Sequence, residues 1–242
     1  TRERATFTFK RDGRYDQAQL AKLNHFMRDW RKNKPTKMDP ELWDLIYEVY
    51  KETGATRPIT VICGYRSPET NSMLRSRSSG VAQNSLHTRG QALDFYIPGV
   101  DLAKLRAIGL RMQAGGVGFY PGSGSPFVHM DTGSVRHWPK MSRSQLVKVF
   151  PNGNTLHIPS DGKPLPGYAQ ALASYKMRKA RGIVVAQGAG GGDFSGPVAI
   201  AAEDVPLPRS APTRPEVIDT LSVAMAERFM SGEGADEIDD DS

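Results

Sequence analysis

With 242 residues and a single cysteine, Cys63, the chain can form one large domain or two small ones and no internal disulfide. Its net charge of +6 is uneven: from Ile183 onward 3 Lys/Arg face 12 Asp/Glu, whereas residues 1–182 carry 29 basic and 14 acidic side chains. A basic body with an acidic tail suits a polyanionic partner (nucleic acid, anionic lipid or cell-wall polymer), and no apolar run reaches the ~18 residues of a membrane span.

In chain order, "DQAQLAKLNHFMRDW" spaces Leu20, Leu23, Phe26, Met27 and Trp30 as one helical face. "MDPELWDLIYEVYKETG" predicts a second helix, with Asp39 as N-cap, Pro40 as first residue and Gly54 as stop. "PITVICGY" reads as a buried strand ending in a glycine turn, and "SPETNSMLRSR" as a short helix capped by Ser67. The stretch 77–86 is a polar loop, "QALDFYI" a strand, and "DLAKLRAIGLRMQAGG" a helix capped by Asp101. "VGFYP" and "FVHMD" are short strands either side of a "GSGS" turn. "VKVFPNGNTLHIPSDGKPL" reads as small hairpins and "GYAQALASYKMRKARG" as a basic helix.

After Gly182 glycine and proline accumulate, as in linkers, and the final "EGADEIDDDS" has the composition of a disordered tail. Residues 215–230 form one amphipathic helix pattern within it. The expected organisation is therefore a domain over 1–182 followed by a linker and an acidic, largely disordered tail over 183–242. Helices among short strands predict an α+β fold with a mainly antiparallel sheet. No signal peptide is visible, and the start at Thr1 without methionine leads us to expect that a leader is missing.

Five histidines are present, and two stand in unusual settings. "SLHTRGQALDF" places His87 in a loop and Asp94 inside an apolar strand, with Gly90 to make the turn between them. A half-buried aspartate is costly unless paired, by a metal or by an arginine. In "FVHMD", alternation sets Val128 and Met130 on one face, with Phe127, His129 and Asp131 towards the other. Two histidines and a carboxylate with a fourth position open to water would be a catalytic zinc arrangement. By spacing alone, Asp94 paired with a basic residue and His129 as a satisfied sheet histidine explain the same residues. Cys63 reads as a small, inert thiol.

"GYRSPETN", "SLHTRGQALDF", "GGVGFYP" and "FVHMDTGSVRHW", in this order, resemble the YcbK-like murein endopeptidases. That family is related to D-alanyl-D-alanine dipeptidases and carboxypeptidases and shares a zinc-site fold with the hedgehog signalling domain. The resemblance covers about residues 16–140. It implies a zinc peptidase of the periplasm or cell envelope that cuts peptide cross-links between peptidoglycan stem peptides, with diaminopimelate bridges the bond suggested. On it, His87, Asp94 and His129 match the metal ligands, and Arg66 matches an arginine near the substrate carbonyl. Dipeptidase relatives carry a general-base glutamate three residues before the last histidine, where this chain has Pro126. Asp131 then stands as catalytic base or as the group that orients a ligand histidine, and His137 as a weaker candidate for proton transfer. Alternatives of other classes are a non-catalytic zinc-containing wall-binding module and a carboxypeptidase. Nucleic acid is not the expected partner, because no aromatic-basic recognition motif is present.

Overall fold

A computed structural model describes residues 3–78 and 80–186, together with the backbone of 198–202. The chain opens with β1 (Arg4–Phe7) and a small hairpin, β2 (Lys10–Arg11) and β3 (Arg14–Tyr15). The hairpin turns on Asp12 and Gly13, both at positive φ, the backbone that an Asp-Gly pair tolerates best.

The capping residues set the helices. Asp16 accepts from the Gln19 backbone N–H at the start of α1 (Gln17–Phe26). That helix ends earlier than the apolar spacing predicts. Met27 lends its carbonyl to the Tyr65 N–H, Asp29 turns inward to accept from Ser67, and Trp30 is left 43% exposed beyond the helix. α2 (Pro40–Thr53) follows the sequence closely, with Asp39 capping, Pro40 in the first turn and Gly54 in the left-handed region at φ 68°. The Asp39 side chain also accepts from the Thr132 hydroxyl at 2.7 Å, which ties the start of α2 to the strand that carries His129.

β4 (Ile59–Cys63) leads through Gly64 to α3 (Pro68–Arg77), capped by Ser67. A short 3-10 turn over Leu86–Arg89 precedes β5 (Ala92–Tyr96). α4 (Leu102–Met112) starts from the Asp101 cap and stops at Gln113, itself left-handed at φ 46°. β6 (Gly116–Tyr120), β7 (Phe127–Asp131) and β8 (Arg136–Trp138) complete the central run.

The hairpins expected beyond Val147 are not there. Residues Arg143–Val149 form α5, on a reciprocal cap between Ser142 and Gln145, and no strand occurs among the described residues 150–186. α6 (Tyr168–Ala180) is the predicted basic helix. Past Gly182, Val184 and Val185 are buried in the main core, and β9 (Val198–Ala202) joins the sheet. The amphipathic stretch 215–230 and the acidic end lie outside the described residues.

The fold is α+β. Its seven-stranded sheet has the order β1-β9-β4-β5-β7-β6-β8. Pairs β1–β9, β4–β5, β5–β7 and β6–β7 are antiparallel, in part as expected, while β4–β9 and β6–β8 are parallel and make the sheet a mixed one. The parallel pairs arise where the chain returns over a long connection instead of a hairpin.

Strand alternation divides the sheet by chemistry. Leu93, Phe95, Val128 and Met130 point into the core with Leu42, Ile46 and Val49 of α2 and Leu105 and Ile108 of α4. Truncating one of the large members, such as Phe95 at 0% exposure, would cost about 3–5 kcal/mol. The opposite positions on β5 and β7 are Asp94, His129 and Asp131, and this polar face carries the site.

Candidate metal centre

The sheet register brings the site together. Cys63 on β4 pairs with Asp94 on β5, Asp94 with His129 on β7, and His129 with Gly118 on β6. Four adjacent strands thus place four residues in one row on the polar face. His87 arrives from the 3-10 turn. Ser85 caps that turn, and Gly90 ends it at φ 68° in a space where a Cβ would meet the Lys37 carbonyl oxygen at 3.0 Å. The glycine between the histidine and the aspartate therefore does what the motif requires.

His87, Asp94 and His129 are 3%, 6% and 8% exposed. His87 Nε2 and His129 Nδ1 are 3.2 Å apart, and Asp94 Oδ1 lies 3.2 Å from the first and 2.8 Å from the second. The outer nitrogens decide what meets in the middle. His87 Nδ1 is 2.8 Å from the Gly64 carbonyl oxygen, which only accepts, so that nitrogen bears the proton and donates. His129 Nε2 donates to Asp131 Oδ2 at 2.9 Å.

The inner nitrogens are then bare lone pairs, facing each other and a carboxylate in a buried space. Such a group needs a positive centre. Burial works against charge on His87, yet the Asp94 carboxylate and Cys63 outweigh it and push its pKa up to about 10. Burial likewise opposes ionisation of Asp94, but the two histidines hold it well below the usual carboxylate range. A cation is the alternative to a proton. Zinc with bonds of ~2.0–2.1 Å to a tetrahedral set holds its ligand atoms roughly 3.3–3.4 Å apart, near the spacings found here. The donor set fits such an ion, and the second hydrogen bond on each ring is the support that ligand histidines characteristically have.

Arg66 sits at the edge of this group. Its backbone N–H donates to the His87 carbonyl, its Nη2 is 3.9 Å from Asp94 Oδ2 and 3.6 Å from Cys63 Sγ, and its Nη1 donates to Asn71 Oδ1 at 3.3 Å. The Asp94 contact is long for an ion pair, so the guanidinium is not used up by it.

Asp131 stands behind His129, not in front of it. It is 0% exposed and accepts from the Gly116 and Gly133 N–H groups at 2.8 and 2.9 Å, from Arg136 Nη1 and Nη2 at 3.1 and 2.8 Å, and from His129. Burial raises its pKa, but His129, Arg136 and the Gly116 amide hold it well below the usual carboxylate range. A Cβ on Gly116 would run into Asp131 Oδ2, so the bare backbone there makes room for the carboxylate. His137 points to the other side of β8, where its Nε2 accepts from the Met141 N–H and its ring packs on His157. That puts it away from the ligand group. His25 is exposed on α1.

Several participants went unread in the sequence. Cys63 is half-buried beside His87 and Asp94, close enough for the three to share an ion. Burial raises the thiol pKa, but Arg66 and His87 bring it down to about 7, and the thiol lies at the edge of the ligand group where a core position was expected. Arg136 forks onto Asp131. Trp138 lays its indole 5.0 Å from the His129 ring and donates to the Tyr120 hydroxyl. The clue to Trp138 was the second glycine of "GVG": a Cβ on Gly118 would meet the indole at 2.6 to 2.8 Å.

Metal-dependent peptidases are the class in which this donor set on an α+β fold is at home. The chain belongs to the family described as Peptidoglycan L,D-endopeptidase MepK, whose family model matches residues 1–138. It is 54% identical over 128 residues to the Peptidoglycan L,D-endopeptidase MepK of Escherichia coli (strain K12), covering 52% of this chain and 69% of that protein. To the Probable peptidoglycan L,D-endopeptidase MepK of Haemophilus influenzae it is 45% identical over 139 residues, 57% of this chain and 74% of that protein. No solved structure matches the chain. Among the described residues no helix is long and apolar enough to cross a membrane.

Proposed function

We propose that this protein is a zinc-dependent peptidoglycan endopeptidase of the cell envelope, acting on L,D peptide bonds that cross-link stem peptides, with diaminopimelate bridges as the bond cut. The observation that carries the reading is the convergence of His87 Nε2, His129 Nδ1 and Asp94 Oδ1, each freed by its surroundings to present a lone pair. Membership of a family described by that activity supports the substrate.

A zinc ion held by His87, Asp94 and His129 supplies a Lewis acid that polarises a carbonyl and lowers the pKa of bound water to ~7. The chain's own residues do the rest. Arg66 offers a fixed guanidinium to a substrate carbonyl oxygen as it gains charge. Asp131 fixes the His129 ring and its tautomer, because its remaining lone pairs are committed to Arg136 and two backbone amides. A base must reach the reacting proton, and a carboxylate with no exposed surface behind a ligand does not.

With Pro126 where dipeptidase relatives have a glutamate, a wall-binding module without catalysis is the second reading. Digestion of purified sacculi, with products identified by mass spectrometry, separates the two. The protein purified with its metal is expected to release cross-linked stem peptides as cleaved monomers. Chelator treatment and His87→Ala should each abolish release, and zinc should restore it only in the chelated parent. Binding to sacculi without any release would favour the module.

A further inference from the structure

The peptidase reading gives the scissile carbonyl oxygen one donor, Arg66. Asp131 is buried and saturated, Pro126 has no side-chain donor or acceptor, Arg136 is engaged with Asp131, and Arg66 is the charged donor that lies beside Asp94. The polar face of the sheet also holds a phenol, that of Tyr120. Tyr120 ends β6 on the same face as Gly116 and Gly118 and pairs in register with Phe127 of β7, two residues from His129. Its ring stacks on Phe127 at 4.7 Å between centroids, which fixes where the hydroxyl goes.

The hydroxyl has an unusual partner. Trp138 Nε1 bonds to it, and an indole N–H can only donate, so the phenol oxygen is the acceptor. The phenol's own proton is left over, and no acceptor for it is found among the described residues. Trp138 is in turn held against the sheet by the bare backbone of Gly118, with its ring 5.0 Å from His129. The hydroxyl is thus linked to the ligand group through one side chain, the indole that lies between it and the His129 ring. A donor whose oxygen is pinned and whose proton is unused, next to a site where a carbonyl is to gain negative charge, has the arrangement of an oxyanion-stabilising group.

We propose that Tyr120 is a catalytic residue that donates its phenolic hydrogen bond to the scissile carbonyl oxygen as that oxygen becomes negative, opposite or beside Arg66, with Trp138 as the positioning residue that aims it. No proton leaves Tyr120 in this role. It stabilises charge, and the hydrogen bond from the indole makes the phenol a better donor by polarising it. The inference rests on the peptidase reading.

The test uses the full chain, its metal content and a defined cross-linked muropeptide. In Tyr120→Phe, kcat should fall ~100-fold with KM within about twofold, as expected for loss of one oxyanion donor. A phosphinate mimic of the tetrahedral state should lose affinity by a similar factor, whereas an uncleavable substrate analogue should not. Metal stoichiometry and melting temperature should match the parent. Trp138→Phe should lower kcat less, and the double variant should be no worse than Tyr120→Phe alone, because the indole acts only through the phenol. Full kcat in Tyr120→Phe, or a loss explained by lost metal or a lower melting temperature, overturns the role of Tyr120 while leaving the peptidase reading in place. Additive losses in the double variant overturn the role of Trp138. A parent that binds metal and sacculi but cleaves nothing overturns the peptidase reading, and this inference with it.

Discussion

Under the proposed function, two substitutions distinguish residues that support the ion from residues that act on substrate. Asp131→Asn keeps the shape but breaks the fork to Arg136 and weakens the hold on the His129 Nε2–H. Metal affinity should fall ~10–100-fold, and activity should return when excess metal is supplied. Arg66→Ala should do the reverse, with metal bound at full stoichiometry and activity down at least ~100-fold. Titration with a competing chelator, alongside assays at saturating metal, reads both. If Asp131→Asn stays inactive at full metal occupancy, the carboxylate has a direct part in the chemistry. The period and the glycine turn left His87, Asp94 and His129 with more than one explanation, and only the order of the four motifs singled them out as a ligand set; the register of β5 and β7 and the turn at Gly90 then bring the three side chains together. Arg136, Trp138 and Tyr120 were not legible, because their roles depend on which strands become neighbours. Arg136 and Trp138 reach the site only because β8 pairs with β6, a parallel pairing that no local pattern announces.

At the scale of elements, the second histidine pair makes the packing of α4 against the 150–166 stretch sensitive to acid. His157 is 0% exposed and donates through Nε2 to the Leu110 carbonyl, so it is neutral, and its Nδ1 is buried without a partner. Burial, then His137, pushes its pKa down to about 3; burial, then Arg106 and Lys140, pushes that of His137 down to about 4. Both are bases with folded pKa values below the unfolded ~6.5. Their contribution is therefore fully present above pH ~6.5 and is lost as pH falls towards the folded values. For His157 alone the loss is about 2 kcal/mol at pH 5. Urea midpoints of the parent should drop between pH 7 and 5, and those of His157→Gln should drop less, the comparison cancelling groups common to both. Equal slopes would show that His157 is not a source of the acid sensitivity. The caps of α2, α3 and α4 were readable because each uses a side chain next to its own helix. The hairpin at Asp12–Gly13 and helix α5 are just as local, on an Asp-Gly turn and a Ser142–Gln145 box, but strands of two residues are too short to show a period, and Val147 and Val149 imitate the alternation of a strand within α5.

For the molecule as a whole, the question is where the folded body ends and what the acidic charge beyond it does. Composition draws a line at Gly182, yet the chain continues to pack past it. Val184 and Val185 are each 8% exposed in the main core, the Ala186 N–H donates to the Met112 carbonyl at 2.8 Å, and β9 lies between β1 and β4. Removing everything after Gly182 deprives β1 of its partner and opens the edge of β4. The two valines alone contribute about 1.5–3 kcal/mol each on burial. A chain ending at Gly182 should therefore melt several degrees lower than the parent, whereas one ending at Leu207, the limit of the compact unit that begins at Thr1, should melt with it. The longer truncation isolates the electrostatics. It removes 9 acidic and 3 basic residues and raises the net charge from +6 to +12. An anionic wall attracts the more basic protein more strongly, and salt screens the difference over ~10 Å at 0.1 M. Binding of the Leu207 truncation to sacculi should be tighter at low salt and converge with the parent as salt rises, while cleavage of small soluble muropeptides stays the same. A truncation that melts lower and binds sacculi no more tightly would assign the segment after Leu207 to stability instead, and the acidic charge would then have no part in wall attachment.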